Sequence, residues 1–235
     1  MTKAFEQLKG MIELVARALG SELLNEVAFV GGCTTGLLVT DEITKEGIRF
    51  TDDVDLIINV VGFTGWSVFQ EKLKNKGFKV SLEDDVICRM RLGELKVDFM
   101  PDDESILGFS NRWYRDALKT AEPYKLTNDI VIRLLTPPFF VATKLEAYHG
   151  RGNNDPLASH DMEDIFNIVD GRLELVDEIS AAQEDVRVYI AEQVNQLLTH
   201  DMIDYAIQGI VFGDTARADI VYARLEAIKA LQGNN

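Results

Sequence analysis

The chain has 235 residues, 46% hydrophobic, 9% aromatic and 27% charged, enough apolar material for one sizeable core or two modest ones, and unlike disordered, collagen-like or disulfide-stapled chains. No apolar run approaches the roughly 18 residues that a membrane helix needs. With 24 Lys+Arg against 39 Asp+Glu the formal charge is −15, which counts against a broad polyanion-binding face and leaves room for a narrow basic site.

The first half alternates helix and strand signals. Leu8, Met11, Ile12, Val15 and Leu19 recur at helical spacing and predict an amphipathic helix over Phe5 to Leu19. Val27 to Val30 is a short apolar run ended by Gly31-Gly32, and Thr34 to Val39 reads as helical, so the segment is strand, tight turn, helix. Asp53 to Val61 is rich in β-branched residues and predicts a strand. Trp66 to Lys76 predicts a helix with Gly77 just past its end. Val86 to Leu92 and Leu95 to Met100 predict two strands joined by a Gly93-Glu94 hairpin turn. Further strand signals lie at Tyr124 to Thr127 and Ile130 to Leu134.

After Pro137-Pro138 the pattern changes, and helices are expected at Phe139 to His149, Ser159 to Val169, Val186 to Leu198 and Ala216 to Leu231. The boundary is drawn at Thr136, giving a mixed α/β domain over 1–136 and an all-helical domain over 137–235. Charge divides unevenly there: 17 basic and 22 acidic residues up to Thr136 give −5, and 7 and 17 beyond it give −10. Two cysteines, Cys33 and Cys88, make no disulfide framework, and the opening Met1 to Glu6 lacks a signal layout. A reducing cytoplasm is the expected compartment.

The residues that carry chemistry are Asp53-Val54-Asp55 and Asp98. In a strand, residues i and i+2 share a face, so Asp53 and Asp55 project together with Cα atoms about 6.5–7 Å apart, while Val54 and Leu56 face the core. Such a pair can straddle two cations about 3.5–4 Å from each other. Asp98, between Val97 and Phe99, is placed to join from a neighbouring strand. Three carboxylates on one face repel unless cations neutralise them, and hard oxygen ligands suit Mg²⁺ or Mn²⁺. A competing reading makes Thr51-Asp52-Asp53 a polar turn and Asp55 an edge residue. Backbone N–H groups of the bare Gly31-Gly32 turn can cradle phosphate oxygens.

Val30-Gly31-Gly32, followed by Arg49-Phe50-Thr51-Asp52-Asp53-Val54-Asp55-Leu56, resembles the signature of DNA polymerase β-type nucleotidyltransferases. That signature is a glycine turn, an Asp-x-Asp strand and a later strand with a single Asp. Pro138 to Ala147, Gly150-Arg151-Gly152, and Ser159 to Ile165 resemble one branch of the superfamily, the AbiEii-type toxins of toxin–antitoxin systems. The likeness spans residues 27 to 172. It implies an α/β (α+β) nucleotidyltransferase-like mixed-sheet domain followed by an all-helical C-terminal domain. It also implies transfer of an NMP from an NTP to an acceptor hydroxyl, with two Mg²⁺ or Mn²⁺ ions.

By this resemblance Asp53, Asp55 and Asp98 are the catalytic residues and metal ligands, and Asp98 helps deprotonate the attacking hydroxyl. Gly31 and Gly32 hold the triphosphate, Lys144 pairs with its phosphates, and Arg151 and Asp161 belong to the substrate-binding set. Cys33 stands where the family has Ser or Thr, so Thr34 or Thr35 is the expected substitute. The branch implies the 3′ end of tRNA as acceptor and an antitoxin protein as partner. The acidic chain equally suits a cationic small molecule, as in aminoglycoside nucleotidyltransferases, and Cys33 leaves a non-catalytic nucleotide- or partner-binding module open.

Other residues carry competing structural readings. Lys144 sits in the apolar run Phe139 to Leu145 and either faces a pocket or snorkels over the core. Arg151 shares its face only if the helix persists past Gly150. Asp161 falls in the first turn after an N-capping Ser159, where the helix dipole favours an anion in any case, and Asp164 follows it. Asn111-Arg112-Trp113-Tyr114-Arg115 either stacks a base or packs as a helix on the core. His149, His160 and His200 are expected to be structural, and neither cysteine a nucleophile.

Overall fold

A computed structural model describes residues 3–81, 83–84, 86–108 and 110–233. Contacts gather the chain into two compact units, one of 3–34 with 49–136 and the other of Thr35–Ile48 with the chain from Pro137 onward.

The first unit is a six-stranded mixed sheet with helices. Helix α1 (Lys3–Leu24) buries Phe5, Leu8, Ile12, Val15, Leu19 and Leu23, and its regular path is interrupted at Gly20, where φ is 69°. Strand β1 (Val27–Val30) is buried throughout, and a 3-10 turn covers Gly32–Thr34. The remaining strands are β2 (Asp53–Ile58), β3 (Arg89–Leu92), β4 (Leu95–Pro101), β5 (Glu122–Lys125) and β6 (Val131–Leu134). They lie in the order β3-β4-β2-β1-β6-β5. β1 is antiparallel to β2, β2 parallel to β4, and β3 antiparallel to β4. Phe99 on β4 meets Phe69 and Phe78 edge-on, with centroids at 6.0 and 5.4 Å, and anchors the core beneath this half of the sheet.

In the other unit α2 (Thr35–Leu38) and α3 (Glu42–Gly47) join α7 (Pro137–Arg151), α8 (His160–Gly171), α9 (Leu175–Ala181), α10 (Glu184–Leu197), α11 (Ile203–Ile210) and α12 (Thr215–Lys229). The first unit also holds α4 (Gly62–Asn75), α5 (Glu104–Leu107) and α6 (Tyr114–Thr120). Among the described residues every regular element after Pro137 is helical. No described helix is long and apolar enough to cross a membrane.

The division departs from a single cut at Thr136, because 35–48 is fastened to α8. The Gly171 carbonyl accepts the N–H groups of Thr40 and Asp41 at 2.8 and 2.9 Å, and Arg172 donates to the Leu38 carbonyl at 2.6 Å. Thr35 Oγ1 donates to Asp164 at 3.1 Å. Gly171 itself has no room for a side chain, since a Cβ there would lie 2.6 Å from Val39 Cγ1 and 2.8 Å from Thr44. Strand boundaries differ as well, and the strand expected over Tyr124 to Thr127 runs Glu122–Lys125. The strand expected from Val86 starts at Arg89, because the Arg89 N–H turns back onto the Val86 carbonyl. The strand from Asp53 ends at Ile58, beyond which Asn59 donates to Asp102 at 2.7 Å.

Candidate metal centre

β2 buries Val54, Leu56 and Ile58 on one face and leaves Asp53 and Asp55 half-buried on the other, which Ile57 continues as a buried residue. The pleat therefore separates core from carboxylates as the alternation predicts. The parallel register sets Asp55 directly beside Asp98 of β4. Each of Asp53, Asp55 and Asp98 offers an oxygen within 4.8 Å of the other two. Among the described residues this is the one cluster of three or more metal-ligating side chains.

The sequence reading missed Arg89. On β3 it stands opposite Asp98 and grips both its oxygens at 2.7 Å, with Asp53 at 3.4 Å. Its guanidinium is only 16% exposed, and the hydrogen bonds and charge of Asp98 hold its pKa well above the ordinary arginine value. The signal was available: a two-residue turn at Gly93-Glu94 pairs Leu92 with Leu95 and hence Arg89 with Asp98. Three carboxylates and one guanidinium leave a formal charge of −2, which a divalent cation balances. The donor set therefore fits a hard cation, with Arg89 as a built-in competitor. Flanking pairs continue the pattern, with Lys96 on Asp52 at 2.7 Å and Arg91 on Asp84 at 2.7 Å.

Gly31 is tied to this centre by space. It takes φ 79°, and any Cβ there would overlap the Asp55 carboxylate, whose Cγ would lie at 2.7 Å. Gly32 opens the 3-10 turn and is buried. Thr34, expected to offer a hydroxyl to phosphate, is fully buried and donates to the Gly31 carbonyl at 2.8 Å. Cys33 Sγ likewise donates to the Val30 carbonyl at 3.4 Å. The hydroxyl and thiol brace the turn from inside.

The second unit gathers Lys144, Arg151, Asp161 and Asp164. α7 persists to Arg151, so Lys144 and Arg151 do converge, both on Asp161. Lys144 Nζ lies 3.0 Å from Asp161 and 2.7 Å from fully buried Asp164. Burial pushes the Lys144 pKa down, but the two carboxylates outweigh it and the net direction is up. Arg151, its side chain largely exposed, forks onto Asp161 at 2.8 and 2.9 Å. Burial pushes Asp161 upward, yet the bonds from Arg151 and the charges of Lys144 and Arg151 hold it below its ordinary value. Ser159 caps α8 through the Met162 N–H. The Lys144 charge that the resemblance assigns to phosphate is thus engaged by two carboxylates.

Trp113 is 3% exposed, so it packs on the core and is not a stacking platform, and Arg112 lies over its ring at 4.8 Å. The histidines bond locally, His149 to Gln193, His160 to Glu163 and His200 to the Asn154 carbonyl. Both cysteines are buried thiols outside any disulfide. Burial, then the charges of Asp98 and Asp55, push the Cys88 thiol up to about 12. The chain matches no protein-family model and no curated protein sequence at a significant level.

Proposed function

We propose that the chain is a metal-dependent nucleotidyltransferase of the DNA polymerase β type, in its AbiEii-like branch, moving an NMP from an NTP to an acceptor hydroxyl and releasing pyrophosphate. The carrying observation is the register of β2 on β4, which brings Asp53, Asp55 and Asp98 to one face with oxygens within 4.8 Å. Mg²⁺ or Mn²⁺ held by these three would neutralise the triphosphate and the leaving pyrophosphate. Asp98 is assigned the acceptor hydroxyl's proton, and Arg89 orients Asp98 by its two-pronged grip. Gly31 supports the centre by leaving room for the Asp55 carboxylate.

The acceptor is a tRNA 3′ end by resemblance, with an antitoxin protein as partner; the charge of −15 favours a cationic small molecule. Two buried thiols outside any disulfide suit a reducing cytoplasm. One observation favours a second reading. Arg89 already neutralises part of the triad, as it would in a non-catalytic binding module whose acidic face is a permanent ion cluster. Incubating the purified chain with labelled NTPs, Mg²⁺ and either total tRNA or an aminoglycoside panel separates these. Label on RNA or on the small molecule supports transfer and names the acceptor. NTP binding without transfer to either would overturn it in favour of the binding module.

A further inference from the structure

The helical unit holds a cavity of about 810 Å³ among α3, α8, α11 and α12, within the size range of small-molecule sites. None of its lining residues belongs to the unit that carries the carboxylate triad. Its walls are tied together in advance. Arg217 of α12 bonds Asp170 of α8 and Thr44 of α3 and reaches Asp41 at 3.3 Å. Arg224 donates to the carbonyls of Val169, at 2.7 Å, and Asp170, at 2.5 Å.

Three features define what fits. Asn167, which lines the cavity, is only 4% exposed, and its amide nitrogen has no hydrogen-bond partner. An unpaired buried donor is costly and calls for an acceptor. Ile43, Leu173, Phe212 and Ile220 line the same cavity and are 47–83% exposed, an apolar rim facing solvent. Phe212 is held at φ 52°, a conformation bulky residues rarely take, with its ring edge against Gly47. The third feature is charge. Arg217 is engaged by carboxylates, Arg224 by carbonyls, and Asp214 caps α12 by accepting the Ala216 and Arg217 N–H groups at 3.0 and 3.2 Å, whereas exposed Glu174, also lining the cavity, has no basic partner within 4 Å among the described residues. The lining carries four carboxylates, Asp41, Asp170, Glu174 and Asp214, against two arginines, and this negative balance in a cavity that an exposed aromatic ring also lines is the setting that attracts an organic cation.

We propose that this cavity binds an organic cation: an ammonium on an aromatic or alicyclic body that also carries a hydroxyl or carbonyl acceptor. The acceptor takes the Asn167 N–H, the body lies between Ile43, Ile220 and Phe212, and the ammonium meets Glu174.

The test is a titration of the full chain, carrying ¹³C-labelled isoleucine methyls, with 5-hydroxytryptamine, tryptamine and indole-3-acetate. The methyls of Ile43, Ile210 and Ile220 shift saturably with 5-hydroxytryptamine. Tryptamine, lacking the hydroxyl, binds several-fold more weakly, and anionic indole-3-acetate at least tenfold more weakly. Glu174→Lys, at an exposed side chain and with its thermal midpoint measured alongside, weakens 5-hydroxytryptamine at least fivefold. Absent shifts, equal affinity for the hydroxylated and plain amines, equal affinity for cation and anion, or an unchanged Glu174→Lys affinity would each overturn the proposal.

Discussion

Arg89 shows how one residue sets the chemistry available to its neighbours. While it grips Asp98 and touches Asp53, a metal ion must share those oxygens or displace it. Arg89→Gln leaves three carboxylates without their resident cation, so Mn²⁺ affinity rises about tenfold, or ~1.4 kcal/mol; calorimetric titration checks this, and unchanged or weaker binding would contradict it. Gly31→Ala acts in the opposite sense. A methyl placed where the Asp55 carboxylate lies pushes that ligand away, and Mn²⁺ affinity falls while the sheet stays folded. Cys88, with its pKa pushed up to about 12, and buried Cys33 resist iodoacetamide at pH 8 until the chain is unfolded; rapid alkylation of the native protein would show the turn and sheet to be open.

Lys144 belongs to the residue scale for a different reason. Replacing it by Met leaves Asp164, with no exposure, and Asp161 facing each other without the ammonium. The expected cost is about 3–5 kcal/mol, read by urea denaturation. Lost transfer in that variant therefore says little about phosphate binding unless stability is measured beside it. The pH dependence follows from the same cluster. Asp161 is held below its ordinary 3.8, so its contribution is complete above about pH 4 and disappears as pH falls through the lower folded value. Asp161→Asn flattens that part of the acid limb in a stability profile; an unaltered limb would show that Asp161 gains nothing from Arg151 and Lys144.

Among the elements, 35–48 is the instructive one. It follows the glycine turn in sequence and reads as part of the α/β half, yet Gly171, Arg172 and Asp164 bind it to α8. Gly171→Ala crowds Val39 and Thr44 and destabilises the helical unit by about 1–3 kcal/mol, visible as faster hydrogen exchange in α3. Equal exchange rates would show that the segment docks by other means. Local pattern could not reveal this attachment, because the tie is a backbone carbonyl over 130 residues away in sequence. The strands and long helices were legible because each carries its own period, as in Val54 and Leu56 against Asp53 and Asp55. Arg89 was half-legible, since the hairpin turn fixes its register but only paired strands show its grip on Asp98. Short α9 and α11 offered too few turns for a period to declare itself.

At the scale of the molecule, acidity has two separate origins. Asp53, Asp55 and Asp98 account for three of the negative charges, so setting them aside moves −15 only to −12. The larger share follows Thr136, in the unit whose cavity is lined by exposed Glu174, without a basic partner within 4 Å among the described residues. This balance counts against a broad RNA-binding face. The most direct test of the proposed chemistry compares NMP transfer by the intact chain and by Asp55→Asn, under the same labelled NTP, Mg²⁺ and acceptors. The intact chain transfers NMP and Asp55→Asn loses at least a hundredfold with an unchanged thermal midpoint; undiminished transfer by Asp55→Asn would rule out the carboxylate triad as the catalytic centre.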